Sequence, residues 1–360
     1  MRTEGASPGA LLLSPVELAA IGAKHMPYAL LGEGQESALI NLPHAPGRLF
    51  SFGAFECRLD DDPRVDFMAC ALAADGGRSP NLGSRTFEQE YRQCGTQTSE
   101  LLAAWREPSP AAEDTEGLWF EWDQQPDSTW RPFLFVRAAD ARWPEERSRA
   151  QFTRWLDWLT SNAEPSFVEA EVRARVLDTV ERLPPEARVL HLASLTPRGV
   201  QAIRMHVSLS KARVEEFVSL RGWSASEALQ DGLRAISSLP DPIGIQFDVA
   251  SDGLEFLDLE IYAESDPGSD ARWRGAIDWV ASLPGTSRTK IESAIQWAAT
   301  VRVGESGAVL VRRVSLKVRC FRDGRTACKA YLGFSPRWIS AREGCEAADP
   351  EIGIRETRLF

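Results

Sequence analysis

Val309–Phe334, VLVRRVSLKVRCFRDGRTACKAYLGF, is the stretch from which the rest of the chain can be read. Two alternating runs flank Asp323-Gly324, a dipeptide that favours a tight hairpin turn. In the first run Val314, Leu316, Val318 and Cys320 share one face, and Ser315, Lys317, Arg319 and Phe321 share the other. In the second, Cys328, Ala330, Leu332 and Phe334 alternate with Lys329, Tyr331 and Gly333. Side chains on a strand repeat every second residue, so each strand has one apolar face and one face carrying cations. The apolar face needs cover, and helices are the available cover.

Outward from this hairpin, the same pattern recurs. Strand pairs are predicted at Leu49–Leu59 with Val65–Ala73, Leu118–Asp123 with Phe133–Arg137, Val189–Leu195 with Val200–Leu209, and Ile243–Val249 with Leu254–Ala263. Helices are predicted at Pro15–Lys24, with Ser14 as cap and Pro15 first in the helix, and at Arg85–Trp105. Further helices are expected in pairs after the later hairpins: Glu145–Asn162 and Ser166–Leu183, Ala212–Leu220 and Ser224–Leu239 (capped by Ser224), Asp270–Leu283 and Arg288–Ala299. Tryptophans at helical spacing, Trp155/Trp158 and Trp273/Trp279, read as packing between helix and sheet. The repeated ββαα unit predicts an α+β fold: a large antiparallel sheet, open or closed into a barrel, with helices on its outer face. All 360 residues are expected in one domain, with 1–14 loosely held and an irregular tail over 336–360.

Composition narrows the partners. A formal charge of −11 argues against general binding to nucleic acid or anionic membrane. No window approaches a membrane span, and the N-terminus lacks the pattern of a secretory signal, so a soluble cytoplasmic protein is expected. The six cysteines show no CxxC spacing and only four histidines occur, so no metal site is expected, and Cys320 and Cys328 read as reduced core residues. Neither GxGxxG nor GxxxxGK[ST] is present, so no nucleotide cofactor is expected. Asp60-Asp61-Asp62 reads as a solvated turn rather than a metal site.

In a closed barrel the polar stripes would line the lumen. They gather Arg204, His206, Lys317, Arg319, Lys329 and Tyr331, with the acids Asp258 and Glu260, Tyr262 and Glu121. Cations at alternate positions suit an anion such as a diphosphate, and a tyrosine beside them suits a carbocation. The same residues also suit a sheet face whose charges pair across strands. His191 is a candidate general base or a hydrogen-bonded structural histidine. No residue is assigned a catalytic role.

The ββαα recurrence, with KAYLGF at Lys329–Phe334 and LDLEIY at Leu257–Tyr262, resembles the ABBA (αββα-barrel) prenyltransferases of natural-product pathways. That resemblance implies an allylic diphosphate held in the lumen by Arg204, Lys317, Arg319, Lys329 and Tyr331. The chain as a whole, with LHLASLTPR, FDVASDGLEF and KAYLGF, is also similar to the peptide-binding proteins of crocagin-type ribosomal peptide pathways. This second resemblance implies a non-catalytic accessory protein that binds a precursor or leader peptide and presents it to other enzymes of the pathway. Such a peptide would add as a strand to an exposed sheet edge, and the acidic chain as a whole suits a partner carrying Lys or Arg. The accessory role is the first expectation, and an ABBA-type prenyltransferase acting on an aromatic or peptide substrate is the alternative.

Overall fold

The computed structural model describes residues 11–32, 39, 42, 48–75, 104–107, 109–124, 130–138, 146–161, 170–220, 227–251, 256–263, 267–303 and 308–338. Helix α1 (Pro15–Ala23) starts where its sequence dictates. The Ser14 hydroxyl accepts from the Glu17 N–H, the Glu17 carboxylate accepts from the Ser14 N–H, and Pro15 occupies the first turn. Strands β1 (Phe52–Arg58), β2 (Val65–Leu72), β3 (Thr115–Gln124) and β4 (Trp130–Ala138) follow, with the short helix α2 (Pro110–Glu113) before β3. Then come α3 (Glu146–Ser161), α4 (Ala170–Glu181), β5 (Arg188–Ser194), β6 (Ala202–Leu209), α5 (Lys211–Leu220) and α6 (Glu227–Ala235). The chain continues with β7 (Ile243–Ala250), β8 (Phe256–Tyr262), α7 (Trp273–Ser282), α8 (Arg288–Ile295), β9 (Ala299–Val303), β10 (Ala308–Phe321) and β11 (Thr326–Trp338).

Ten strands form a closed antiparallel ring. Each of β1–β7 pairs with the next, β8 pairs with β10, β10 with β11, and β11 returns to β1. The closing register runs from Gly53 opposite Phe334 to Arg58 opposite Lys329. Strand β9 lies outside the ring, alongside the end of β10 that extends past β8. Most of the predicted helices are present within two or three residues at their ends. The Arg85–Trp105 helix lies outside the described residues except for its end, as does the Ser224 cap.

Three local features differ from the expectation. The stretch at the end of the predicted Arg288–Ala299 helix instead turns into β9, because Ala299–Val303 finds a partner in Ala308–Arg312. The turn at Asp323-Gly324 is a three-residue loop. Gly324 N–H donates to the Phe321 carbonyl (3.1 Å), Phe321 N–H donates to the Arg325 carbonyl (2.9 Å), and Gly324 has φ 89°. Finally, β11 continues to Trp338, so residues 336–338 are strand rather than irregular tail; Pro336 is accommodated opposite Leu310.

The outer face of the ring and the helices share one apolar core that includes Phe55, Phe67, Phe120, Trp155, Phe217, Phe247, Trp273, Trp279, Leu316 and Leu332. Cys57, Cys70, Cys320 and Cys328 are buried free thiols. A second, smaller apolar cluster (Phe52, Ala54, Cys70, Leu72, Trp119, Phe135, Ala193, Leu195, Ala202) comes from the inner faces of β1–β6. The lumen is therefore filled from one side by apolar side chains, and the charged residues occupy the other. No helix among the described residues is long and apolar enough to cross a membrane.

Candidate functional site: a charge-paired barrel lumen

The strand alternation places all nine predicted lumen residues on the inner face, where they meet partners contributed by neighbouring strands. On β11, the Lys329 ammonium donates to one oxygen of Glu56, from β1, and the Tyr331 hydroxyl donates to the other. The Lys317 ammonium donates to the Tyr331 oxygen (2.6 Å) and to the Gln246 side-chain carbonyl, and pairs with Glu260 at 2.7 Å. The Tyr262 hydroxyl donates to Glu260, and His206 Nε2 lies 2.7 Å from the Tyr262 oxygen and 3.0 Å from Glu260. His206 Nδ1 lies 2.9 Å from Nδ1 of His191. One hydrogen-bonded network thus runs from Lys329 to His191.

The remaining cations are held in pairs. Arg319 grips Asp258 through two hydrogen bonds of 2.7 and 2.9 Å, and its guanidinium stacks 3.6 Å from the Phe256 ring centroid. Arg204 grips Asp248 in the same way at 2.7 and 3.0 Å. Arg198, from the turn before β6, reaches both Asp123 (2.7 Å) and Glu121 (3.1 Å), and Arg58 pairs with Asp66 at 2.9 Å. Arg198 belongs to the Thr196-Pro-Arg-Gly199 turn, and Glu56, Asp66, Gln246 and Asp248 sit on strands whose sequence gave no charged stripe; all were missed as lumen partners.

Protonation follows these contacts. Burial alone would raise the Glu260 carboxyl, but Lys317 and His206 hold it well below the usual range. Glu56 is likewise lowered against its burial, by Lys329 and Lys317. Burial pushes Glu121 up to about 7 despite Arg198, helped by Asp123 and Glu56. Burial and the Glu56 charge push Asp66 up to about 6. Burial and His206 hold His191 well below its ordinary value, so its ring is neutral. Tyr262 donates to Glu260, so its oxygen accepts from His206 Nε2–H. One of the two facing Nδ1 atoms of His206 and His191 carries the proton that the other accepts. Both His191 and His206 are structural members of the network in this geometry.

The described residues of the lumen border one small cavity. It measures about 60 Å³ and is lined by Met68, Trp119, Phe135, His191, Lys317 and Tyr331, among others. That is room for roughly four to six waters. Trp119 Nε1 and His191 Nε2 border it without a hydrogen-bond partner among the described residues. Oxygens of Glu56, Asp66 and Glu121 lie within 4.8 Å of one another, a spacing that could hold a metal ion. Each already serves a cation (Lys329, Arg58 and Arg198 respectively), so the trio is committed to charges of the chain itself. The Asp60–Asp62 run is a turn, as expected. Asp62 pairs with Arg64, and the Lys290 ammonium caps the carbonyls of Arg58, Asp60 and Asp62.

No family model matches the chain, and no curated protein does. Solved structures do. The 6-dimethylallyltryptophan synthase from Micromonospora olivasterospora, in complex with DMASPP and Trp, aligns with a TM-score of 0.50. The match covers 90% of this chain and 97% of that one, at 13% identity. A second structure, a 6-dimethylallyl tryptophan synthase, aligns at 0.47, 91%, 98% and 15% respectively. The first likeness is one of fold: the closed ten-stranded barrel is the ABBA barrel of those prenyltransferases.

Proposed function

We propose that this chain is a non-catalytic binding protein built on a prenyltransferase-type barrel, and that it holds the precursor peptide of a ribosomally synthesised natural product for the enzymes that modify it. The observation that carries the non-catalytic half is the pairing of the lumen. Arg58, Arg198, Arg204, Lys317, Arg319 and Lys329 all meet carboxylates that are mostly or wholly buried. The carboxylates Glu56, Asp66, Asp123, Asp248, Asp258 and Glu260 match those six cations in number, with Glu121 titrating near 7 beside them, so the lumen has no surplus positive charge to offer a diphosphate. Two like charges 5 Å apart repel by about 3 kcal/mol at an effective dielectric of about 20, so a diphosphate entering here would meet several such terms. The peptide half rests on the whole-chain resemblance and on a sheet edge that lies open among the described residues. The reading takes the cytoplasm as the compartment, with which four buried free thiols are compatible.

The second reading is an active prenyltransferase. It is favoured by the barrel itself and by the lumen tyrosines, one of which has the Lys317 ammonium 4.6 Å above its ring. Calorimetric titration decides between them. Under the proposal, the precursor peptide encoded beside the gene binds at micromolar concentration and dimethylallyl diphosphate gives no heat. Heat from the diphosphate, abolished by Lys317→Ala or Lys329→Ala in a folded protein, would replace the proposal with the enzyme.

A further inference from the structure

The structure points to a place for the peptide, if the peptide-binding reading above is right. Strand β9 is the one strand of the described sheet outside the closed ring, and it pairs on one side only, with β10. Its residues Ala299, Thr300 and Arg302 are exposed, and none of the three hydrogen-bonds to a described residue beyond β10. An edge of this kind presents unpaired N–H and C=O groups to any extended chain.

The two faces of this edge differ. Val301 and Val303 are half-buried and pack against the main apolar core. Arg302, on the opposite face, is directly across from Val309, and Val309 is directly across from Arg337. Paired residues in antiparallel strands project to the same side, so Arg302 and Arg337 flank Val309 on one face. Neither arginine has an ion-pair partner among the described residues, in contrast to the lumen cations. The chain carries −11 overall, but charges are screened beyond about 8 Å at physiological salt, so an approaching strand feels these arginines first.

We propose that the outer edge of β9 receives an extended segment of the peptide in which acidic and apolar residues alternate. The backbone adds to the sheet, an acidic side chain stands opposite Arg302, and apolar side chains lie beside Val301 and Val303. This reverses, locally, the partner charge expected from composition.

The test uses the full chain and two synthetic probes, one peptide alternating valine and glutamate and one alternating valine and lysine. Binding is followed by fluorescence anisotropy, and the contact is located by amide hydrogen exchange. The glutamate peptide is expected to bind and to slow exchange across 299–303. Arg302→Glu, at an exposed position that leaves folding intact, is expected to weaken that peptide by roughly tenfold and to favour the lysine peptide. Protection confined to other strands, or affinity unchanged by Arg302→Glu, overturns the edge assignment. The same variant is titrated with the precursor peptide. Full-affinity binding there also overturns the edge assignment while leaving the peptide-binding reading intact. Failure of the unaltered protein to bind the precursor peptide sinks that reading, and the edge proposal with it.

Discussion

Removing Arg319 should show that the lumen cations hold the barrel together. Asp258 is fully buried and takes both of its strong hydrogen bonds from Arg319, which is itself 24% exposed. Arg319→Met keeps most of the stem's packing against Phe256 but leaves a carboxylate in the interior without its main partner. Breaking a buried pair in this way costs about 3–5 kcal/mol. The partial exposure of Arg319, and the Lys317 ammonium 4.0 Å from Asp258, place the expected loss near the lower end, about 3 kcal/mol. Adding Asp258→Leu removes the stranded charge, so the double variant should recover most of that loss. Urea unfolding followed by tryptophan fluorescence reads both. A loss below about 1 kcal/mol for Arg319→Met, or a double variant no more stable than the single, would refute the view that these cations are there to neutralise the carboxylates.

Other outcomes follow from the same geometry. Glu56→Gln with Glu260→Gln should free Lys329 and Lys317, so dimethylallyl diphosphate should give heat in calorimetry with the double variant but none with the parent. Asp66 and Glu121 keep their protons to about 6 and 7 in the folded state, but lose them near 4 when unfolded. The native state therefore holds the extra proton between those values, and stability should fall as pH rises from 5 to 8. The first proton taken up relieves the other site, so the fall should be about 3 kcal/mol, read from urea midpoints. Glu56 and Glu260 are lowered instead, so their contribution is complete in that window and is lost only on acidification below the usual carboxylate range. Gly244→Ala would bring a methyl group within 2.7 Å of both His206 Nε2 and the Tyr262 oxygen. Forcing that pair apart should cost about 1–3 kcal/mol in the same unfolding assay.

The ring was legible because strands and helices leave different periods, and the hairpins of this chain alternate cleanly. LDLEIY and VSLKVRC each show one apolar and one polar stripe, and both stripes face as expected. What could not be read was the neutralisation. Glu56 lies in FGAFECR and Asp248 in IGIQFDVA, single acids among residues that are buried on both faces. In a barrel whose interior is filled, alternation no longer separates exposed from buried, so such acids look incidental. Their partners are also remote: Lys329 and Glu56 are 273 positions apart, and only the closing register brings them together. Strand β9 was missed for a different reason. ATVRV continues an alanine-rich helix end in sequence, and its strand state comes from pairing with β10 rather than from its own pattern.

The seam between β1 and β11 also sets the order in which the molecule can be made. At roughly 5–20 residues per second, a ribosome needs roughly 15–55 s to synthesise the 273 residues that separate Glu56 from Lys329. Throughout that interval β1 has no neighbour on one side, and β8 waits for β10. These are the open borders through which nascent chains aggregate. The C-terminal hairpin fills both positions at once, pairing with β8 through β10 and with β1 through β11. The last hairpin of the ring to leave the ribosome is therefore also the one that closes these two borders, and a chain cut short before it would be left with both bare.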